Sequence, residues 1–554
     1  MRDSRRLLWL AGVLYVLAVS AGGCRPEASA TTPTPVGPPS DAEARPAITR
    51  DEDDRALSQR RGRRIYFEGT SSSGSSIVAV IGSSREGVSA ALVTCGNCHG
   101  RDGRGRPEGG IEPRDVRWSV LSKPLAATER PGRPAYTRAV AGRAITMGLD
   151  AGGARLGDGM PRYRLSPEDL ADLVAYLEVL GSEVDPGISP TSITLGTLLP
   201  QEQSAPELRQ AIVSTVQAFA DDLNDRGGLY NRKIVIQFED MNPAPSGSGR
   251  DVEELLKRGP MFALLAPYFA GRDQELARVV RDEGLPVIGP FSNLSSSGAA
   301  AERCIFHIHS AIDDQARALA IFAIGQPRAR APAIIESDDR LSPQAADAVA
   351  QVWARAGWSV PERIVIPGGE EGAQVTRLVE RLAARGNDVI VYLGPAALVQ
   401  PLLVAADGAS YRPSVFLIGA LSGGGVLDLP ASFDGRAFLA MPHLDQDVTR
   451  SGHEDYAHLS ARYKLVPDHR AAQLAVLAAA RVLEEGLRRC GRDLSRAKLI
   501  DELERLEEFP TGYSRPVTFG PNRRAGTAGA HVLGADLVEH RFKPLGWTDV
   551  GRRQ

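Results

Sequence analysis

The chain has 554 residues, too many for one hydrophobic core, so two or three domains are expected. Hydrophobic residues make up 43% and charged residues 24%, and the net charge is −3. This balance gives no electrostatic reason to bind nucleic acid, and it excludes a wholly disordered chain.

The first segment, MRDSRRLLWLAGVLYVLAVSAGGC, places Arg2, Arg5 and Arg6 before an apolar run from Leu7 to Val19. That run falls short of the ~20 residues of a membrane span and reads as an export signal over residues 1–23. Its end, Ala21-Gly22-Gly23-Cys24, resembles the lipobox of bacterial lipoproteins, with Ala21 where that family usually has Leu. The resemblance implies lipidation of Cys24; cleavage after Ala28-Ser29-Ala30 is the competing reading. Residues 24–55 are rich in Pro, Ala, Thr and Ser at first and read as a tether. Contact with a membrane is expected only through the lipid anchor.

The five cysteines are Cys24, Cys95, Cys98, Cys304 and Cys490. In an oxidising compartment Cys304 and Cys490 are the remaining candidates for a disulfide. Cys95 and Cys98 lie in TCGNCHG, with His99 directly after. Zinc would need further ligands that are not nearby. A thioredoxin-like pair should sit in a βαβ pattern, but Gly/Ser and Arg/Gly stretches flank this one. A disulfide across two residues is strained. Attachment of one haem c uses every residue: two thioethers from the thiols and an axial bond from His99 to the iron. His99 is the only histidine before His307, so the second axial ligand is expected to be methionine. Met160, in the Gly-rich loop GDGMPRY, is preferred over Met147, which reads as core packing.

Helices flank this segment. Gln59 to Phe67 places Gly62 and Tyr66 on one face. SPEDLADLVAYLEVLG has a Ser166 cap, Pro167 in its first turn and an apolar stripe of Leu170, Leu173, Val174 and Leu177. CGNCH, GMPRY and SPEDLADLVAYL together resemble class I cytochrome c domains. The resemblance covers about 56–184 and implies a small all-α domain in which the first and last helices cross at Gly62, Tyr66 and Tyr176. Among nearby cations, Arg114, Arg117 and Lys123 read as solvated charges before propionate partners.

From Ser192 strands and helices alternate. SITLGTLL precedes a helix with Ile212, Val216, Phe219 and Leu223 in phase; then come IVIQF, DVEELLKR, MFALLAPY, GRDQELARVVRDEG and LPVIGP. A second series runs APAIIES, PQAADAVAQVWARAG, RIVIP, GAQVTRLVERLAARG, DVIVYLG. Two βα series predict two parallel-sheet lobes with helices on both faces and a cleft between them. SITLGTLLP, LNDRGGLYNRKI, FALLAPYFAG with LPVIGPFSN, and VTFGPN resemble the type I periplasmic binding proteins, near the leucine/isoleucine/valine-binding branch. The resemblance spans about 190–547 and implies lobes of 190–307 plus 445–515 and 312–440 plus 516–547. It implies ligand contacts from strand-end loops at Tyr268, Phe269, Ser292, Asn293, Glu336 and Tyr392. Ala270 stands where that family often has a serine for an α-carboxylate, which argues against an amino acid. His307 and His309 (FHIHS) read as structural, and no catalytic set is found.

The expected function is a periplasmic haem c electron carrier, not an enzyme, with a fused small-molecule binding domain. Its partners would be a redox protein and a small ligand. Two alternatives remain: a solute-binding protein serving an ABC permease, with haem as sensor or docking element, and a non-catalytic cytochrome subunit of a dehydrogenase.

Overall fold

The computed structural model describes residues 50–551, except 83–85, 101, 106–111, 126–131, 182–183, 241–258, 270–272, 293–302, 327–330, 339–341, 367–372 and 423. Expectations for the signal segment, for Cys24 and for residues 24–49 of the tether therefore lie outside the described residues, as does the helix read at DVEELLKR. Among the described residues no helix is long and apolar enough to cross a membrane. The chain divides between Val184 and Asp185 into two compact units.

The small unit is built on a helix crossing. Helix α1 (Arg50–Glu68) starts nine residues before the sequence signal, because its first turns are charged and carry no apolar stripe. Helix α5 (Pro167–Leu177) is capped by Ser166, whose Oγ accepts from the Asp169 amide at 3.0 Å. The two cross at Gly62, where a Cβ would stand 1.9 Å from the Asp172 carbonyl oxygen and 2.8 Å from Tyr176 Cβ. Glycine is the residue that permits this approach. Tyr66 and Tyr176 meet edge-on with centroids 5.5 Å apart. Arg61 Nε and Ser58 Oγ donate to the buried Asp172 carboxylate at 2.6 Å each. Between these helices lie α2 (Cys95–His99), α3 (Trp118–Leu121) and α4 (Arg138–Met147). The unit is not wholly helical as expected. Strands β1 (Val78–Val80), β2 (Gly87–Ser89) and β3 (Arg162–Arg164) form an antiparallel sheet in the order β2-β1-β3. Three-residue strands are too short to show a period in sequence.

The large unit holds two sheets. Strands β4 (Ser192–Leu199), β5 (Lys233–Asp240), β6 (Ala263–Leu265), β7 (Val287–Ile288) and β8 (Ile305–Phe306) form a parallel sheet ordered β5-β4-β6-β7-β8. Helix α6 (Pro206–Asp225) buries Ile212, Val216, Phe219 and Leu223 against it. The LNDRGGLYNRKI stretch acquires a physical account here. Tyr230 and Asn231 take φ of 50° and 65°, and Leu229 and Arg232 exchange two backbone bonds of 2.9 Å. This is the tight hairpin connection that prefers Asn or Gly at left-handed positions. Asn224 then locks the hairpin through both side-chain atoms to the Ile234 backbone.

The second sheet has strands β9 (Pro332–Ser337), β10 (Glu362–Ile366), β11 (Val389–Leu393), β12 (Ser414–Ile418), β13 (Ala437–Met441), β14 (Gly529–Asp536) and β15 (Arg541–Asp549), ordered β10-β9-β11-β12-β13-β14-β15. It is parallel up to β13, and the last two strands run antiparallel. Apolar clusters cover both faces, as a parallel sheet requires. The chain crosses between lobes three times. It passes from β8 into α8 (Ile312–Ile324), with α7 (Asp273–Asp282) left behind in the first lobe. It returns from β13 into α13 (Arg450–Tyr463), α14 (Arg470–Cys490) and α15 (Arg496–Leu503), which pack in the first core. The third crossing comes after residue 516, because Val517 and Phe519 are still buried in that first core.

Candidate functional site

In the small unit, Cys95 and Cys98 open and close the single turn of α2, and His99 ends it. Gly96 lets this turn lie directly on α1: a Cβ there would be 2.9 Å from the Phe67 ring. Tyr66 donates to the Gly100 carbonyl at 2.9 Å, and Tyr163 on β3 donates to the Val93 carbonyl at 2.5 Å. Thus both ends of the turn are held by buried phenols. The loop that follows folds back until the Arg114 carbonyl meets His99 Nδ1 at 2.9 Å. A carbonyl can only accept, so Nδ1 carries the proton and Nε2 keeps its lone pair. Burial lowers the His99 pKa, which favours the neutral ring. Burial also pushes the Cys95 thiol up to about 12.

This donor set fits haem c. Two thiols one turn apart sit beside an imidazole whose Nε2 is free and whose tautomer is fixed from behind. Arg117, noted in the sequence as a surface charge, is paired with Asp115 at 2.5 Å.

Met160 lies half-buried in a turn whose backbone amide donates to the Gly157 carbonyl at 3.2 Å. Two arginines that sequence reading missed organise this side. Arg162 donates to the Met160 carbonyl and, at 2.8 Å, to the Leu156 carbonyl; its guanidinium fills the space beside Gly148 at the end of α4. Arg133 is buried and donates to the carbonyls of Val120, Leu121, Lys123 and Pro134. Neither position has a sequence signal, since an arginine bound to carbonyls looks like any other arginine. Met147, expected in the core, is 64% exposed as the last residue of α4. The apolar face of that helix falls on Ala141, Ala144 and Ile145 instead.

In the large unit, the carboxyl ends of the first parallel sheet carry Tyr268 beside Phe291, joined by a parallel bridge. Open α/β sheets take ligands at this edge. Residues 192–533, more than half of the chain, match the periplasmic binding protein family. The chain belongs to the periplasmic binding protein family. Residues 85–181 match the cytochrome c family, so this binding protein carries a cytochrome c domain on its N-terminal side.

Three solved structures share the fold of the large unit. A fatty acid ABC transporter substrate-binding protein from Thermomonospora curvata is 14% identical, with a TM-score of 0.51 over 67% of this chain and 95% of that one. A branched-chain amino acid ABC transporter protein from Rhodospirillum rubrum is 16% identical, with a TM-score of 0.50 over 64% and 100%. A solute-binding protein from R. palustris, solved with benzoate, is 15% identical, with a TM-score of 0.50 over 65% and 96%. No curated protein matches the chain.

The residues expected at the ligand cleft of this binding protein have different fates. Tyr268 and Ser292 remain partly exposed at the strand ends. Asn293 lies outside the described residues. Phe269 is fully buried in a satellite core with Leu198 and Ile305, so it supports the wall from behind. Glu336 receives two bonds from Arg363, at 2.8 and 2.7 Å. A carboxylate with 3% of its side chain exposed needs such a partner, and this one neutralises it. Tyr392 donates to the Pro395 carbonyl at 2.7 Å, with its ring in the second core. Both second-lobe residues are therefore engaged within the protein. Cys304 and Cys490 are both buried in the first core and are not joined in a disulfide, which corrects the expected pairing. Apolar burial pushes the Cys490 thiol up to about 12, and a neutral thiol packs there as a small hydrophobe.

Proposed function

We propose that this chain is a periplasmic electron-transfer protein with one covalently attached haem c, whose binding domain recognises a small molecule. The observation that supports this best is the fixed His99 tautomer beside the Cys95 and Cys98 thiols. Haem c supplies one-electron transfer when bound. Cys95 and Cys98 would hold it, His99 would bind the iron through Nε2, and Met160 would bind from the other side. Met160 backbone anchoring by Arg162 supports that last assignment. The small unit of the mature protein would follow a tether with lipid on Cys24. Electrons would pass to and from a redox partner protein.

Production with the export and haem-attachment machinery tests this. The expected product is red, and its haem stays with the polypeptide on acid–organic extraction. Colourless exported protein, or haem that extracts freely, would sink the proposal. The Met160→Ala variant should keep covalent haem and lose its low-spin spectrum; an unchanged spectrum assigns the sixth ligand elsewhere.

The binding domain also supports a second reading, because it spans 95–100% of the substrate-binding neighbours reported above. Here the chain delivers solute to an ABC permease, and the haem senses redox state. In either reading the aromatic edge of Tyr268 and Phe291 favours a ligand with an apolar body, such as an aromatic or aliphatic acid. A thermal-shift series of such acids against amino acids and sugars, with the haem spectrum recorded alongside, separates the readings. Ligand-induced spectral change favours coupling to electron transfer.

A further inference from the structure

The three lobe crossovers meet in a cluster of imidazoles that neither reading of the function uses. His307 pairs with Ala525 in a parallel bridge, which sets His309 alongside Thr527 two residues on. Strand β13 pairs with β14 through Met441 and His531, which brings His443 to the same place. The His309 and His443 rings lie with centroids 5.2 Å apart, tilted by 35°. They come from different crossovers, and His531 comes from the strand that follows the third.

One carboxylate serves this group. His531 Nε2 lies 2.9 and 2.8 Å from the two Asp447 oxygens, and the Leu444 amide donates to the same carboxylate. His443 Nδ1 stands off at 3.4 Å from Asp447, and both its nitrogens are buried without a hydrogen-bond partner. Only 10% of the His443 side chain and 3% of the Asp447 side chain are exposed. Burial alone would raise the Asp447 carboxyl, but the nearby His443 ring and the bonds from His531 and the Leu444 amide hold it well below the usual range. Arg515, stacked on Trp547 at 4.4 Å, adds a cation 3.9 Å from Asp447. On the far side Asp445 faces His453 and Arg470, and at the start of α8 Asp313 and Asp314 are paired with Arg317. Asp447 favours a proton charge on His309, but burial and the neighbouring His443 outweigh it.

We propose that the crossovers form a proton-operated hinge: uncharged His309, packed against His443, lets the three segments close together, and proton uptake by His309 drives them apart. Burial first, then the neighbouring His443, lowers His309 to about 3 in the packed arrangement. A rearrangement that brings water to the ring restores an ordinary value near ~6.5. Acid therefore favours the opened form, because that form binds the extra proton. In the binding reading above, acidification would loosen the ligand cleft, but the hinge itself requires no ligand.

Hydrogen exchange on the full-length protein tests this directly. Amides in 305–311, 441–447 and 525–531 are compared at pH 7.5 and 5.5 after correction for intrinsic rates. The proton linkage predicts that opening increases about tenfold between these values. Helix α1 serves as a control segment and should not respond. In His309→Asn the pH response should fall about tenfold relative to wild type, whatever the buried His307 adds. If that variant does not fold, His309→Gln serves in its place and should lose the same share of the response. Wild-type protection that changes less than twofold, or a His309→Asn or His309→Gln variant whose response tracks wild type, would each overturn the hinge proposal while leaving the haem reading intact.

Discussion

The two units differ in how their buried polar groups are held. In the cytochrome c unit, Thr94 Oγ1 and Arg143 Nε are buried without a partner, but many others are fastened to backbone carbonyls: Tyr66 to Gly100, Tyr163 to Val93, His99 to Arg114, and Arg133 and Arg162 to several each. At the crossovers of the binding unit, Ser310 Oγ, Gln315 Oε1, both His443 nitrogens and Thr527 Oγ1 are buried without a partner. Satisfied buried bonds give a unique, stiff arrangement, whereas unsatisfied ones lower the cost of rearrangement. An electron carrier needs its metal ligands to stay in place through both redox states. A two-lobed binding protein needs its hinge to move. The contrast fits the roles proposed for each region.

The contrast can be broken most completely at the haem turn. Cys95→Ala with Cys98→Ala should abolish covalent haem, read as complete loss of the bound chromophore after denaturation. Next comes the helix crossing. Gly62→Val places side-chain atoms where even a Cβ would sit 1.9 Å from the Asp172 carbonyl, and overpacking of this kind costs about 3 kcal/mol or more. Thermal unfolding followed at the haem band should show a large drop, with the binding unit's own transition unmoved.

Arg162→Ala should free the Met160 loop. Loss of charge-assisted bonds to carbonyls is worth about 1–3 kcal/mol, so added imidazole should compete for the iron roughly five- to a hundredfold better. An unchanged imidazole affinity would show that Arg162 does not restrain Met160. Acid acts on the other side of the comparison. Burial lowers His307 to about 4, and burial with His443 lowers His309 to about 3. Both groups bind more protons when unfolded, so their contribution is full above ~6.5 and declines toward those lower values. The binding unit's unfolding free energy should fall by up to about 1.4 kcal/mol per pH unit for each histidine in that window. A flat profile from pH 7 to 5 would mean that both rings already reach water. The smallest effect concerns the thiols. Reductant should leave the binding unit's stability unchanged, and Cys304 and Cys490 should react with a thiol reagent only after denaturation.

Long, periodic elements were legible from sequence, and so was the cytochrome c domain. The α6 stripe of Ile212, Val216, Phe219 and Leu223 is buried as its spacing demands, and Ser166 caps α5 as its motif demands. Three kinds of feature were hidden. The three-residue strands β1 and β2 carry no period. Residues defined by a distant partner have no local mark: Glu336 depends on Arg363, and the His309–His443 contact joins positions on separate crossovers. Met147 looked like core because a methionine ends an apolar-rich helix, yet the helix phase turns it outward.

The way the chain is threaded sets an order of assembly. The cytochrome c unit is one uninterrupted stretch that ends by Val184, so a growing polypeptide completes it early. Neither lobe of the binding unit has that freedom. The first core waits for α14, α15 and then Val517 and Phe519, and the second sheet waits for β14 and β15, which end at Asp549. Both lobes thus become complete only when nearly the whole polypeptide has emerged, and their long-range pairings form slowly. Loss of the last twenty residues would strip β15 from the sheet edge while leaving the haem turn untouched.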